Sequence, residues 1–295
     1  MTMPEIAVER LSVALGAEVR GLDLAALDAD GVAMVRDLLL EHLVVFFPDQ
    51  HLAGDDHVAL GRKFGELEIH PNLPSPEGGP REIVELRASF GGTADEWHTD
   101  VTFLPSPSVM SIMHMVQCPE VGGDTMWANQ YLAFAELSAP MREMLSGLSA
   151  LHDATPHGKP EMQARHPVVR VHPETGRASL MVSEHFTRRI VELSKSESDT
   201  LLAYLFRWSV QERFSVRYRW TPGTIVMWDN RCTQHCVVND FTGERIIQRV
   251  TVLGDHPVGP PARWEPYHPT TKGTATRDDA IMLRDIARLA AGEAG

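Results

Sequence analysis

Read for the spacing of its apolar positions, the chain falls into short runs of period two and a few longer runs of helical period. Residues 6–10 (IAVER) and 16–24 (GAEVRGLDL) alternate as half-buried strands do. Over residues 28–42, Val32, Val35, Leu38 and Leu39 recur three and four apart, with Leu43 one turn further on, which predicts an amphipathic helix. LVVFFP (43–48) is a β-branched and aromatic run closed by proline, the mark of a buried strand. A second helix is expected over residues 54–64, with Gly65 as its C-cap. REIVELR (81–87), PSVMSIMHMVQ (107–117) and DTMWAN (124–129) read as strands, and NQYLAFAEL (129–137) and APMREMLSGL (139–148) as helices. Residues 163–193 are loop-like, except that HPVVRVHPETGR (166–177) reads as a strand, a turn and the start of a return strand. A helix over about residues 196–208 precedes three strand candidates, FSVRYRW (214–220), GTIVMWDN (223–230) and RIIQRVTVLGD (245–255). The stretch over 254–276 is rich in proline and glycine, and a short helix is expected near residues 280–289.

No repeat, low-complexity block or linker divides this pattern, so it predicts a single catalytic domain over residues 1–295, with a core over about 5–258 and a tail over 259–295. The fold class expected is mixed α/β dominated by β. Short strands at turn-punctuated spacing suggest two packed antiparallel sheets, a double-stranded β-helix or jelly roll with flanking helices.

Composition narrows the partners. Lys and Arg number 27 against 40 Asp and Glu, a formal charge of −13 that disfavours nucleic acid and anionic membranes. No apolar run approaches the roughly 20 residues that span a bilayer, and MTMPEIAVER lacks the layout of a signal peptide. Three cysteines, Cys118, Cys232 and Cys236, are too few for a disulfide framework and suit a reducing cytoplasm. Fourteen histidines, by contrast, make a metal site worth seeking.

The most informative segment is Trp97-His98-Thr99-Asp100. On extended backbone, residues i and i+2 point to one side, so His98 and Asp100 can converge on one ion. An imidazole and a carboxylate are two members of the 2-His-1-carboxylate triad, which leaves coordination positions open. The candidate third ligand is His235, 137 residues on and between two strand-like runs. Arg245 and Arg249 follow on a strand expected to pair near His235, and a buried guanidinium matches a carboxylate through its planar fork. Thr125, after Gly122-Gly123-Asp124, can offer a hydroxyl to the same carboxylate. A zinc site on Cys232 and Cys236 is disfavoured, because a closed site needs four ligands and Cys118 is the one further thiol. His152, His166 and His172 read as ordinary polar residues, and Arg188-Arg189 as a solvated pair.

With FGELEIHP (64–71), WHTDVTF (97–103), GGDTMWAN (122–129), HPVVRVHPETG (166–176), WDNRCTQH (228–235) and RIIQRVTVLGD (245–255) together, the sequence resembles the taurine dioxygenase/TfdA family of Fe(II)- and 2-oxoglutarate-dependent dioxygenases, with a likeness to its alkylsulfatase members. The resemblance implies Fe(II) on His98, Asp100 and His235, 2-oxoglutarate on Thr125 and Arg245, and O2 as co-oxidant. It also implies a small anionic substrate, a sulfonate such as taurine, held by His70, the Val101 amide, Phe186 and Arg249. The implied products are succinate, CO2 and a hydroxylated substrate that releases sulfite and an aldehyde. Alkyl sulfate esters and carboxylates are the alternative substrates, and a dimer or tetramer is the family's habit. Leu73, Ala94 and Ala154 stand where the family pattern has a tyrosine, an asparagine and a phenylalanine, which implies a roomier, less polar pocket. A metal-binding protein on a cupin-like scaffold would use the same three ligands, but leaves Thr125, Arg245 and Arg249 without a common purpose.

Overall fold

The computed structural model describes residues 6–91, 94–269, 281 and 284–288. In chain order the first elements are β1 (Ala7–Arg10), β2 (Ala17–Arg20), α1 (Ala29–His42), β3 (Val44–Phe47), α2 (Gly54–Arg62), β4 (Val84–Arg87), β5 (Met110–Gln117) and β6 (Thr125–Asn129). There follow α3 (Gln130–Ala135), α4 (Ala139–Leu145), β7 (Ser149–Ala154), β8 (Lys159–Pro167), β9 (Val169–Val171), β10 (Ala178–Leu180), β11 (Thr187–Ile190) and α5 (Lys195–Ser209). The last are β12 (Ser215–Tyr218), β13 (Ile225–Asp229), β14 (Thr233–Val237) and β15 (Ile246–Val252). The result is a mixed α/β chain rich in sheet, grouped into two compact units.

The first unit comprises described residues up to 97, 108–129 and 212–255. It holds a seven-stranded sheet of order β1-β2-β3-β13-β5-β15-β4 and a three-stranded antiparallel sheet of order β12-β6-β14. Strand alternation decides what each face carries. Val45, Phe47, Met110, Ile112, Ile225, Met227, Val250 and Val252 point to one face of the large sheet and pack with Val35 and Leu39 of α1 and Val58 and Leu60 of α2. Their neighbours point the other way, toward the small sheet: the Phe46 ring stacks 3.9 Å from Tyr218 and meets Trp127 edge-on at 5.2 Å. Trp127 in turn lies 6.0 Å from Trp220 and 5.9 Å from Trp228. Each buried aromatic removes roughly 150–250 Å² from water, roughly 4–6 kcal/mol before the entropy of ordering is subtracted.

The first helix starts where expected, because the Asp28 side chain accepts the Gly31 N–H at 2.9 Å. The second ends at Arg62, short of residue 64, so Gly65 is not its cap. Gly65 instead lets the chain pass β15: a Cβ there would sit 2.7 Å from Val252 Cγ1.

The second unit comprises residues 98–107, 130–211 and the described residues from 256 onward. Its sheet has the antiparallel order β11-β7-β8, beside the hairpin β9-β10 and helices α3, α4 and α5. Ser194 and Glu197 form a capping box on α5. Within residues 163–193 the expected strand, turn and return strand are present as the hairpin β9–β10, while the loop-like reading of the rest is corrected by the end of β8 and by β11. Runs of three or four residues with buried polar side chains, such as Thr187 and Arg189, give no alternation to read. Most of the expected C-terminal helix lies outside the described residues; of those described, Ile286 packs on Leu151 and Val191.

Candidate active site

Three strands of the first unit place one polar cluster. Thr125 opens β6, and Trp127 stands two residues on, on the same face. His235 on β14 pairs directly across from Trp127, and its ring lies nearly parallel to the indole at 6.4 Å and 4.7 Å from Trp228. Arg245 sits just before β15 and reaches this face from the large sheet: its Nε donates to Gly123 O and its Nη2 to Thr125 Oγ1, both at 3.1 Å. Trp220 Nε1 donates to the same hydroxyl at 3.0 Å. Thr125 Oγ1 therefore accepts two hydrogen bonds and keeps its own O–H to donate. Burial lowers the Arg245 guanidinium to about 10, so it stays charged at neutral pH. Among the described residues no carboxylate pairs with it.

The expectation that Arg249 lies on a strand paired near His235 is corrected. Strand β15 pairs with β5 and β4, whereas β14 pairs with β6. A single ladder is ruled out because Arg249 and His235 belong to different sheets. Arg249 is buried, and alternation against Val250 and Val252 turns it away from the helices, to the face that looks at the small sheet. His70 is buried, and its Nδ1 accepts the N–H groups of Asn72 and Leu73, both at 3.1 Å. With Nδ1 an acceptor, the neutral ring carries its proton on Nε2.

The second unit contributes His98, Asp100, Val101 and Phe186, all buried. His98 Nε2 lies 3.8 Å from Asp100 Oδ1. Val101 holds φ +48, a region β-branched residues rarely enter, at a cost of about 1–3 kcal/mol. The turn is closed by the Leu104 N–H donating to Val101 O at 2.9 Å. Phe186 packs with Val101, Phe103 and Ala154, and its ring lies 6.2 Å from His98. His157 and His185 also meet Phe186, at 5.6 and 4.4 Å, and no sequence spacing singled them out.

Ligand atoms of His98, Asp100 and His235 all lie within 4.8 Å of one another, and all three residues are buried. Metal–ligand bonds of about 2.0–2.2 Å put two ligands of one ion at most about 4.4 Å apart, so the 3.8 Å between His98 and Asp100 fits a shared ion. Among the described residues this is the one such group, and neither Cys232 nor Cys236 joins it. Two other readings change. Arg189 is buried, not solvated, while Arg188 pairs with Asp153 at 2.7 Å. His152, His166 and His172 are buried and hydrogen-bonded.

A sheet-rich α/β fold with two histidines, one carboxylate and a buried arginine beside a threonine hydroxyl agrees with the class of non-haem, 2-oxoglutarate-dependent dioxygenases, which work with Fe(II), 2-oxoglutarate and O2, and the relatives of this chain belong to that class. Residues 7–251 match the family described as taurine catabolism dioxygenase TauD, TfdA family, and the chain belongs to that family. It is 37% identical over 278 residues to an alpha-ketoglutarate-dependent sulfate ester dioxygenase of Pseudomonas putida, covering 86% of this chain and 92% of that one. An alkylsulfatase of Acinetobacter baylyi is 35% identical over 278 residues, covering 86% and 87%. A crystal structure of a taurine dioxygenase from Burkholderia xenovorans superposes with a TM-score of 0.80 at 39% identity, covering 88% of this chain and 95% of that one. No helix among the described residues is long and apolar enough to cross a membrane.

Proposed function

We propose that His98, Asp100 and His235 hold Fe(II), that Arg245 and Thr125 hold the distal carboxylate of 2-oxoglutarate, and that the substrate is a small sulfonate or a close analogue. The observation that carries this reading is Arg245, a buried cation facing a threonine hydroxyl with no carboxylate of the described protein beside it. The two sheets of the first unit are read as the faces of a double-stranded β-helix, supported by their aromatic contact and by the taurine dioxygenase likeness.

Fe(II) with 2-oxoglutarate and O2 supplies the oxidising power, decarboxylating 2-oxoglutarate to succinate and CO2 while one oxygen atom enters a substrate C–H bond. The protein's own residues bind and orient. Three protein ligands would leave positions on the ion open to cosubstrate and oxygen. Arg245 and the Thr125 hydroxyl fix the far end of the cosubstrate, which removes a rotation. His70, through Nε2–H, the Val101 amide and Arg249 offer donors to an anionic head group. Phe186 with Ala154 and Val101 supplies an apolar wall. Hydroxylation of the carbon bearing a sulfonate gives an adduct that collapses to an aldehyde and sulfite; the same step on a sulfate ester gives an aldehyde and sulfate.

A second reading, an alkyl sulfate ester as substrate, is favoured by the apolar make-up of that wall, where Leu104 and Met162 join Val101, Phe103 and Ala154. The two part in one assay: succinate formation from 2-oxoglutarate with Fe(II) and ascorbate, over a panel of sulfonates, sulfate esters and carboxylates. Substrate-stimulated succinate with sulfite supports the sulfonate, and with sulfate the ester. No stimulation by any of the three classes contradicts both.

A further inference from the structure

We propose that His152, with His166 beneath it, is a positioning residue that couples the metal-ligand segment 98–104 to the substrate wall around Phe186. The proposal rests on the reading of Asp100 as a metal ligand and of Phe186 as a substrate contact. All the residues involved belong to the second unit.

His152 stands on β7, the middle strand of its sheet, directly opposite Thr187 on β11. Its Nδ1 lies 3.1 Å from Thr102 Oγ1 and 3.3 Å from Thr187 Oγ1. Thr102 is two residues beyond Asp100, and Thr187 is the residue after Phe186. One imidazole nitrogen thus touches both segments. Thr187 in turn closes a tight loop around Glu184, His185 and Phe186: its Oγ1 accepts the Ser183 N–H at 2.9 Å, and its own N–H donates to Ser183 O at 3.0 Å. The Asp153 N–H, next along β7, donates to Phe186 O at 3.0 Å.

His166 on β8 secures the other side. Its Nε2 lies 2.8 Å from Thr102 O and 3.1 Å from Leu104 O. Both partners only accept, so Nε2 carries the proton and bridges two carbonyls of the strained turn at Val101. The His152 and His166 rings meet edge-on at 5.2 Å. Burial lowers His166 to about 4 and His152 well below the ordinary histidine value, so both rings are neutral donors and acceptors at neutral pH. A leucine at 152 would fill the space but leave two threonine hydroxyls without their shared partner.

Such an arrangement resists sliding of the Asp100 segment against the Phe186 loop, because moving either one stretches a bond to the same nitrogen. The pair at Arg245 and Thr125 has no part in this network.

The test measures Mn(II) dissociation from the iron-free protein by calorimetry, the KM values for cosubstrate and primary substrate, and the melting temperature. The proteins are wild type, His152→Leu, His152→Asn, Thr102→Val, Thr187→Val and the double threonine variant. We expect His152→Leu to weaken Mn(II) and to raise the substrate KM, each about tenfold, with the cosubstrate KM within about twofold. His152→Asn restores most of both, because its amide nitrogen falls near the Nδ1 position. The two threonine substitutions combine non-additively on Mn(II) affinity, since they share one partner; they also carry the test if His152→Leu fails to fold. A His152→Leu that lowers only the melting temperature overturns the coupling, as does a His152→Asn no better than leucine. Strict additivity of the threonine pair overturns it too. A wild type that binds no Mn(II) overturns the ligand assignment and the coupling together.

Discussion

Thr125 and Arg245 stand on or beside strands of the first unit, whereas Val101 and Phe186 stand on loops of the second, and the two groups are held by different means. Around Thr125, the backbone follows sheet ladders on both sides, and its hydroxyl is fixed by an arginine and an indole. Around Val101 and Phe186, a left-handed residue and a Ser183–Thr187 turn shape the chain, and buried histidines fix it from below. The ladder-built region holds Arg245 at one position, which suits the invariant cosubstrate proposed to bind there. The loop-built region can vary in shape without disturbing a ladder, which suits a substrate wall. Departures of this sequence from its family pattern fall on Leu73 and Ala94, in loops of the first unit, and on Ala154, the last residue of β7 in the second, and not on Thr125 or Arg245.

The largest effect expected is at a proposed metal ligand. His235→Ala removes one of three ligands and should lower succinate formation more than about 100-fold, beyond the losses usual for outer partners of a metal. Retained activity in Fe(II)-supplemented assays would break the ligand assignment. Next, Arg245→Ala leaves a bound carboxylate without its buried cation, and the cosubstrate KM should rise about 30-fold or more. Arg249→Ala should instead raise the KM for the primary substrate. Phe186→Ala trims the wall, with a substrate KM about tenfold higher and an unchanged cosubstrate KM.

The smallest effect is common to the two units. Burial lowers His57 in the first and His166 in the second to about 4. As pH falls below the ordinary value near 6.5, the unfolded chain takes up these protons first, so stability is complete above about 6.5 and is lost toward 4. Denaturation midpoints between pH 7.5 and 5 should show this slope, and His166→Gln should flatten it. An unchanged slope would mean that His166 is not held neutral by its burial.

What the sequence made legible follows the same division. Helix α1, with Asp28 as its cap, and strands β3, β5, β6, β13 and β15 carry long alternating or periodic runs, and their positions were predicted closely. The His98–Asp100 spacing and Thr125 with Arg245 were readable because each chemistry calls for a specific residue type. The pairing of β15 was not readable, since alternation reports a strand's faces and not its neighbours. The β9–β10 hairpin was readable from its turn, whereas β7 and β11 were missed, being short and carrying buried polar groups where apolar ones are expected. The roles of His152 and His166 were invisible for the same reason: a histidine acting through two threonines has no local signature.

The most direct test is a matrix of two variants against two ligands, with Arg245→Ala and Phe186→Ala each assayed for the KM values of the cosubstrate and the best primary substrate. Arg245→Ala should move the cosubstrate value alone and Phe186→Ala the substrate value alone. Both variants acting on the same ligand would contradict this.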